Sequence, residues 1–192
     1  SGVLLIWRRF IEALIVIQKK ICMLGSFSVG KTSLVKQYVE SVFSEKYHTT
    51  LGVKVDKKHL TVHGQDLMLM LWDIAGDDDF FKVRPAHLRG AAGAVITIDG
   101  TRQNTFDVAL SLYKMIRELP GSQKIPVVFA LNKADMKSQW VSTEDMMPVL
   151  KATGSLVIES SARDNFGVDE LFISLAEQLV PASKISKGVE SE

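Results

Sequence analysis

Between the apolar run Ile21-Cys22-Met23-Leu24 and a mixed stretch from Ser33 to Val39, the chain carries Gly25-Ser26-Phe27-Ser28-Val29-Gly30-Lys31-Thr32. This fits G-x-x-x-x-G-K-[ST], and it constrains the fold because the pattern works only as strand, tight turn and helix in succession. The glycines let the backbone wrap closely, so that successive N–H groups point at the oxygens of a phosphate. The helix that follows presents its positive dipole end to the same anion. Lys31 is placed to reach terminal phosphates as a point charge, and the Thr32 hydroxyl is placed to ligate Mg²⁺.

The chain alternates strand and helix throughout. The expected strands lie near 20–25, 53–62, 66–73, 94–98, 126–131 and 156–159, with a hairpin turn at His63-Gly64-Gln65. Helices are expected near 31–40, 79–90, 105–119, 143–152 and 168–180, the third ending before Pro120-Gly121. A mobile loop is expected over 42–52 and a disordered tail over 181–192. Nearly continuous apolar strands between helices argue for a largely parallel sheet covered on both faces. Motifs at the carboxyl ends of strands place the ligand at that edge.

Further motifs follow the first: Thr50, then Asp73-Ile74-Ala75-Gly76, Asn132-Lys133-Ala134-Asp135 and Ser160-Ser161-Ala162-Arg163. In order and spacing they resemble the switch threonine, D-x-x-G, N-K-x-D and S-A-K-type elements of Ras-superfamily small GTPases. The local wording at Thr50-Leu51-Gly52-Val53, Trp72-Asp73-Ile74-Ala75-Gly76 and Leu88-Arg89-Gly90-Ala91 is similar to the Rab and Roc branches. The resemblance spans about residues 19–180 and implies one G domain. Its fold is α/β, a three-layer P-loop GTPase fold with a six-stranded, mostly parallel sheet and helices on both faces.

The resemblance also implies a site for GTP or GDP with Mg²⁺. Gly25, Ser28, Val29, Gly30, Lys31, Thr32 and Ser33 would surround the phosphates, with Tyr47, Thr50 and Gly76 closing on them. Thr32 and Thr50 would ligate Mg²⁺ directly, and Asp73 through a water. The Asp135 carboxylate would accept the ring N–H and exocyclic amine of guanine, which adenine lacks. Asn132 would tie the loop together, the Lys133 stem would cover the base, and the Ala162 N–H would bind O6 between Ser161 and Arg163. Phe43 would stack edge-on against the base, although an isolated phenylalanine reads equally as core. The catalytic set would be Lys31, Thr50, Gly76 and Asp77.

Two departures from the family pattern bear on hydrolysis. Asp77 stands where members usually carry the glutamine that orients the attacking water; it is shorter and adds negative charge beside a triphosphate. Phe27 stands at a position often held by glycine, where a ring crowds the water and any incoming arginine finger. Catalysis of this kind rests on positioning and charge stabilisation, so both changes slow it. Asp78 and Asp79 read also as a solvated helix start. The expected function is a nucleotide-dependent switch with slow GTP hydrolysis; the alternative is a non-catalytic guanine-nucleotide-binding scaffold. A nucleotide kinase or other P-loop ATPase is disfavoured by Asn132-Lys133-Ala134-Asp135.

Bulk properties narrow the partners. At 192 residues the chain makes one domain, and its net charge of +1 gives no reason to expect nucleic acid. A single cysteine, Cys22, precludes an intrachain disulfide and fits a reducing, cytoplasmic setting. No cysteine stands near the C-terminus for prenylation. Rab-type effector surfaces display phenylalanine, tryptophan and tyrosine; Trp72 is kept, but Val55 and His87-Leu88 replace the others, so effectors at this surface are unknown. Residues 1–18 form an apolar extension outside the resemblance. Over 3–17, a helix would gather Arg8, Arg9 and Glu12 on one arc of about 100° and leave the rest apolar. Such a helix, too short to span a bilayer, would either lie on a membrane surface, as in Arf-type GTPases, or pack on this domain or a second copy.

Overall fold

The computed structural model of the chain describes residues 16–44, 52–75, 83–141 and 143–180. Six strands form one sheet: β1 (Ile17–Leu24), β2 (Val53–Val62), β3 (Gln65–Ile74), β4 (Gly93–Asp99), β5 (Val127–Asn132) and β6 (Leu156–Glu159). The strand order is β2-β3-β1-β4-β5-β6. Only β2 runs against its neighbour; β1 is parallel to β3 and β4, and β5 and β6 continue the parallel series. The β2–β3 link is a two-residue turn. His63 and Gly64 have φ of 51° and 77°, the positive pair that matches the twist of a hairpin.

Strand periodicity divides the core. In β4 every residue is buried, with Ala94, Ile96 and Ile98 facing one layer and Val95 the other. On the Val95 face pack helices α1 (Lys31–Glu40) and α5 (Val168–Leu179). The buried positions of α5, namely Val168, Leu171, Phe172, Leu175 and Ala176, follow the i, i+3, i+4, i+7 spacing of one helical stripe. The Phe172 ring stacks on Tyr38 of α1 with centroids 4.2 Å apart. Across the sheet lie α3 (Gln103–Glu118) and α4 (Met146–Ala152), with a short α2 (Pro85–Leu88) between β3 and β4. Helices on both faces of a mostly parallel sheet are what the alternating pattern predicts.

Several boundaries differ from the sequence expectation. β1 starts at Ile17, so Ile17 and Gln18 belong to the sheet rather than to the extension, in register with Leu67 and Met68. The helix expected over 79–90 is described only at Pro85–Leu88. The helix expected from 143 begins at Met146, and a 3₁₀ helix at Ala134–Gln139 had no sequence signal. Of the helix expected over 3–17, residues 3–15 lie outside the described residues, as do most of the 42–52 loop and the 181–192 tail, whereas Ile17 is in a strand. Among those described, no helix is long and apolar enough to cross a membrane.

The order of strands also fixes where a ligand can sit. From β1 the chain goes to β2 and β3 on one side and then returns to β4 on the other. Loops leaving the carboxyl ends of the strands around β1 therefore diverge and open a crevice there.

Candidate functional site

Polar side chains converge at that crevice from the carboxyl ends of five strands. The phosphate-type loop leaves β1 after Leu24; Asp73 is next to last in β3; Asp99 ends β4; Asn132 ends β5; Ser160 and Ser161 follow β6. All five of these polar residues are buried. Their burial at the end of strands is costly unless each is satisfied, so the hydrogen bonds they make with neighbouring residues shape the site.

The loop from Gly25 to Gly30 is held by close approach. A side chain on Gly25 would run into the Thr97 carbonyl of β4, and one on Gly30 would overlap the Asn132 amide; both glycines have positive φ, 141° and 103°. The Lys31 ammonium reaches back over the loop and donates to the Gly25 and Ser26 carbonyls at 2.9 and 2.8 Å. Burial pushes it down to about 8, against the neighbouring Asp73 carboxylate, which holds it up, while Arg102 pushes it down further. A cation held in this way gains from an anion placed beside it.

At the start of α1, Thr32 Oγ1 donates to Asp73 Oδ2 at 2.5 Å. A hydroxyl and a carboxylate in contact are two hard oxygen donors, the set that suits Mg²⁺, which takes few protein ligands and keeps several waters. Val29 is wholly buried beneath the loop, whereas Ser28 and Ser33 are half-buried at its rim.

The second half of the site is built on β5 and β6. The Asn132 amide donates to the Val29 carbonyl at 2.9 Å and accepts from Ser160 Oγ at 3.3 Å, tying three loops to one side chain. Lys133 takes a left-handed φ of 68°, which turns the chain into the 3₁₀ helix and leaves the Asp135 carboxylate beside Ser161. Ser161 Oγ donates to Asp135 Oδ1 at 2.7 Å and accepts from the Asp164 N–H at 3.1 Å. Ala162 is buried within the same turn, and a backbone bridge between Ser161 and Phe166 closes it. Ala162 and the exposed Asp135 stand in this one corner, with Arg163 also exposed at its edge.

Three residues in the site were not anticipated. Asp99 accepts from the Thr101 N–H and hydroxyl at 3.0 and 2.7 Å, from Arg102 Nε at 2.9 Å and from the Lys133 ammonium at 2.6 Å. Burial opposes its charge, yet these donors hold its carboxyl below the usual range. Arg102 also donates to the Phe27 carbonyl at 2.6 Å. Trp140 lies on Gly100, where any side chain would collide with the indole, and its Nε1 donates to the Lys133 carbonyl at 2.9 Å. A carboxylate ending a fully buried strand at the ligand edge is the one signal that could have pointed to Asp99. Tyr47, Thr50, Gly76 and Asp77 lie outside the described residues, and Phe43 is exposed.

Comparison with known proteins agrees with this architecture. The Ras family model matches residues 20–181. Ras-related protein Rab-21 of Geodia cydonium is 32% identical over 168 residues, covering 87% of this chain and 73% of its own length. Human Rab-21 is 31% identical over 169 residues, 88% of this chain and 75% of the relative. Human Rab-31 is 31% identical over 172 residues, 88% and 87% respectively. The chain therefore belongs to the Ras family of small GTPases as a Rab-like member, a guanine-nucleotide-binding GTPase that works as a nucleotide-dependent switch.

Proposed function

We propose that this switch binds GTP and GDP in the crevice at the carboxyl ends of β1, β3, β5 and β6 and hydrolyses GTP slowly. The observation that carries the assignment is the junction at Asn132, whose one side chain joins the phosphate loop at Val29 to the base-side loop at Ser160. On the phosphate side, Gly25 to Ser33 supply backbone donors, and Lys31 exchanges its carbonyl partners for phosphate oxygens. On the base side, Asp135, oriented by Ser161, accepts the two donors of a guanine edge, with Asn132, Lys133, Ala162 and Arg163 around it. An unpaired carboxylate facing adenine makes the wrong base costly.

Thr32, Thr50 and Asp73 are the residues that would hold Mg²⁺, which when bound offsets the charge of the phosphates. Thr50 and Gly76 would sense the terminal phosphate, and Phe43 and Tyr47 would cover the nucleotide. Slow hydrolysis follows from Asp77, which adds negative charge where glutamine would orient water, and from Phe27, whose ring crowds the approach. Single-turnover GTP hydrolysis with Mg²⁺ tests this. Asp77→Gln or Phe27→Gly is expected to raise the rate about tenfold or more. GTP bound without turnover in the wild type and both variants would favour a non-catalytic scaffold.

Effectors are assigned to the open face of β2 and β3. There Val55 stands opposite Trp72 in the register and is 40% exposed, and the Lys20 ammonium sits 3.9 Å over the Trp72 ring. Leu88, by contrast, is buried in the core and offers nothing to a partner. The apolar segment 3–15 is assigned to a protein contact rather than a membrane. In liposome flotation, the full chain and a version starting at Val16 should both stay with the unbound protein; flotation of the full chain alone would assign the segment to the lipid surface.

A further inference from the structure

The network around Asp99 joins the two halves of the site through a residue the motifs do not contain. Ser28, a residue with a side chain, holds φ at 59°, in the left-handed region that persists only where the surroundings impose it. The peptide before it is fixed from outside the loop, because Arg102 donates to the Phe27 carbonyl at 2.6 Å. In a trans peptide the C=O and N–H point in opposite directions. A Phe27 carbonyl turned to Arg102 therefore turns the Ser28 N–H away from it. The same guanidinium donates through Nε to Asp99 Oδ2 at 2.9 Å, so its planar fork spans a carbonyl and a carboxylate at once. That carboxylate oxygen also receives the Lys133 ammonium, at 2.6 Å.

We propose that Arg102 is a positioning residue for the nucleotide: it aims the Ser28 N–H at the phosphates and, through Asp99, locks the phosphate loop to the base-side Lys133. The claim rests on the guanine-nucleotide reading of the crevice. Two cations share one buried anion, which leaves excess positive charge on the wall of the site. Arg102 thus supports phosphate binding by its field as well as by the peptide it holds. Removing it frees the Phe27–Ser28 peptide to turn, and cuts the link from the phosphate loop to Asp99 and so to Lys133.

The test is release of fluorescent mant-GDP into excess GDP, with Mg²⁺, from the wild type, Arg102→Ala and Arg102→Lys. A lost charge-assisted hydrogen bond of this kind predicts release roughly tenfold faster from both variants, because a lysine ammonium cannot bridge two acceptors as the fork does. The preference for GDP over inosine diphosphate should be unchanged, since Asp135 is not involved. Arg102→Ala combined with Lys133→Ala should accelerate release by less than the product of the single effects. Release as slow as the wild type, full rescue by lysine, loss of the guanine preference, or multiplicative effects would overturn the proposal. A wild type that binds no mant-GDP would instead overturn the nucleotide reading, and this proposal with it.

Discussion

At the scale of single residues, the base-side corner shows how a small hydroxyl can set specificity. Ser161 is 1% exposed and has two jobs, donating to Asp135 and accepting from the Asp164 N–H. Without it, the Asp135 carboxylate loses the contact that aims it, and the Asp164 N–H loses its acceptor. Hydrogen bonds to charged groups are worth about 1.5–3 kcal/mol. Ser161→Ala should therefore weaken GDP binding by roughly tenfold to a hundredfold, measured by titration with mant-GDP. Affinity equal to the wild type would show that the orientation of Asp135 does not depend on this serine. The same scale separates what the sequence showed from what it hid. Lys31, Thr32, Asp73, Asn132, Asp135 and Ser161 were legible because each belongs to a short motif whose spacing carries the chemistry. Arg102 was not, since its partner Phe27 lies 75 residues away and only the fold brings them together.

Among elements, β1 is the instructive case. Its first half, Ile17-Gln18-Lys19-Lys20, reads as polar, so the strand was expected only from residue 20. That half pairs with Leu67–Met70 where, among the described residues, the outer face carries no helix, so Gln18 and Lys20 occupy that side while Ile17 packs inward. A strand with one open face alternates, whereas one covered on both faces is apolar throughout. The second half is of the latter kind and includes Cys22, which is fully buried and whose thiol donates to the His87 carbonyl at 3.4 Å. Burial pushes this thiol up to about 11, with Lys20 pulling weakly the other way. Between pH 9 and 11 the unfolded chain releases the proton that the folded chain keeps, so this contribution to stability falls as pH rises. Its full loss amounts to about 2–3 kcal/mol. Urea unfolding of wild type and Cys22→Ala from pH 8 to 11 measures it: their stability difference should shift by this amount in favour of the variant. A difference independent of pH would contradict the account.

For the whole molecule, topology does what no single motif can. The turn at β1 in the order β2-β3-β1-β4-β5-β6 brings the ends of five strands around one crevice. Fold class and strand count were readable in the alternation of apolar strands and helices. The 3₁₀ helix was not, because six residues in a tight turn leave no periodicity to detect. At this scale the GTPase switch departs from its relatives' pattern through Phe27 and Asp77, which are expected to affect turnover without removing the nucleotide site. Under the proposed slow hydrolysis, an intact binding frame would give a long-lived GTP state, with the time spent in it set by partners rather than by intrinsic hydrolysis.

The most direct test of the central claim is equilibrium binding of mant-GDP and mant-ADP to the full chain with Mg²⁺. A site that presents Asp135 to two base donors should prefer the guanine nucleotide by about 10⁴-fold or more, the scale at which an unpaired buried group rejects the wrong ligand. Comparable affinities for the two would contradict the assignment of the crevice between Lys31 and Asp135 to a guanine nucleotide.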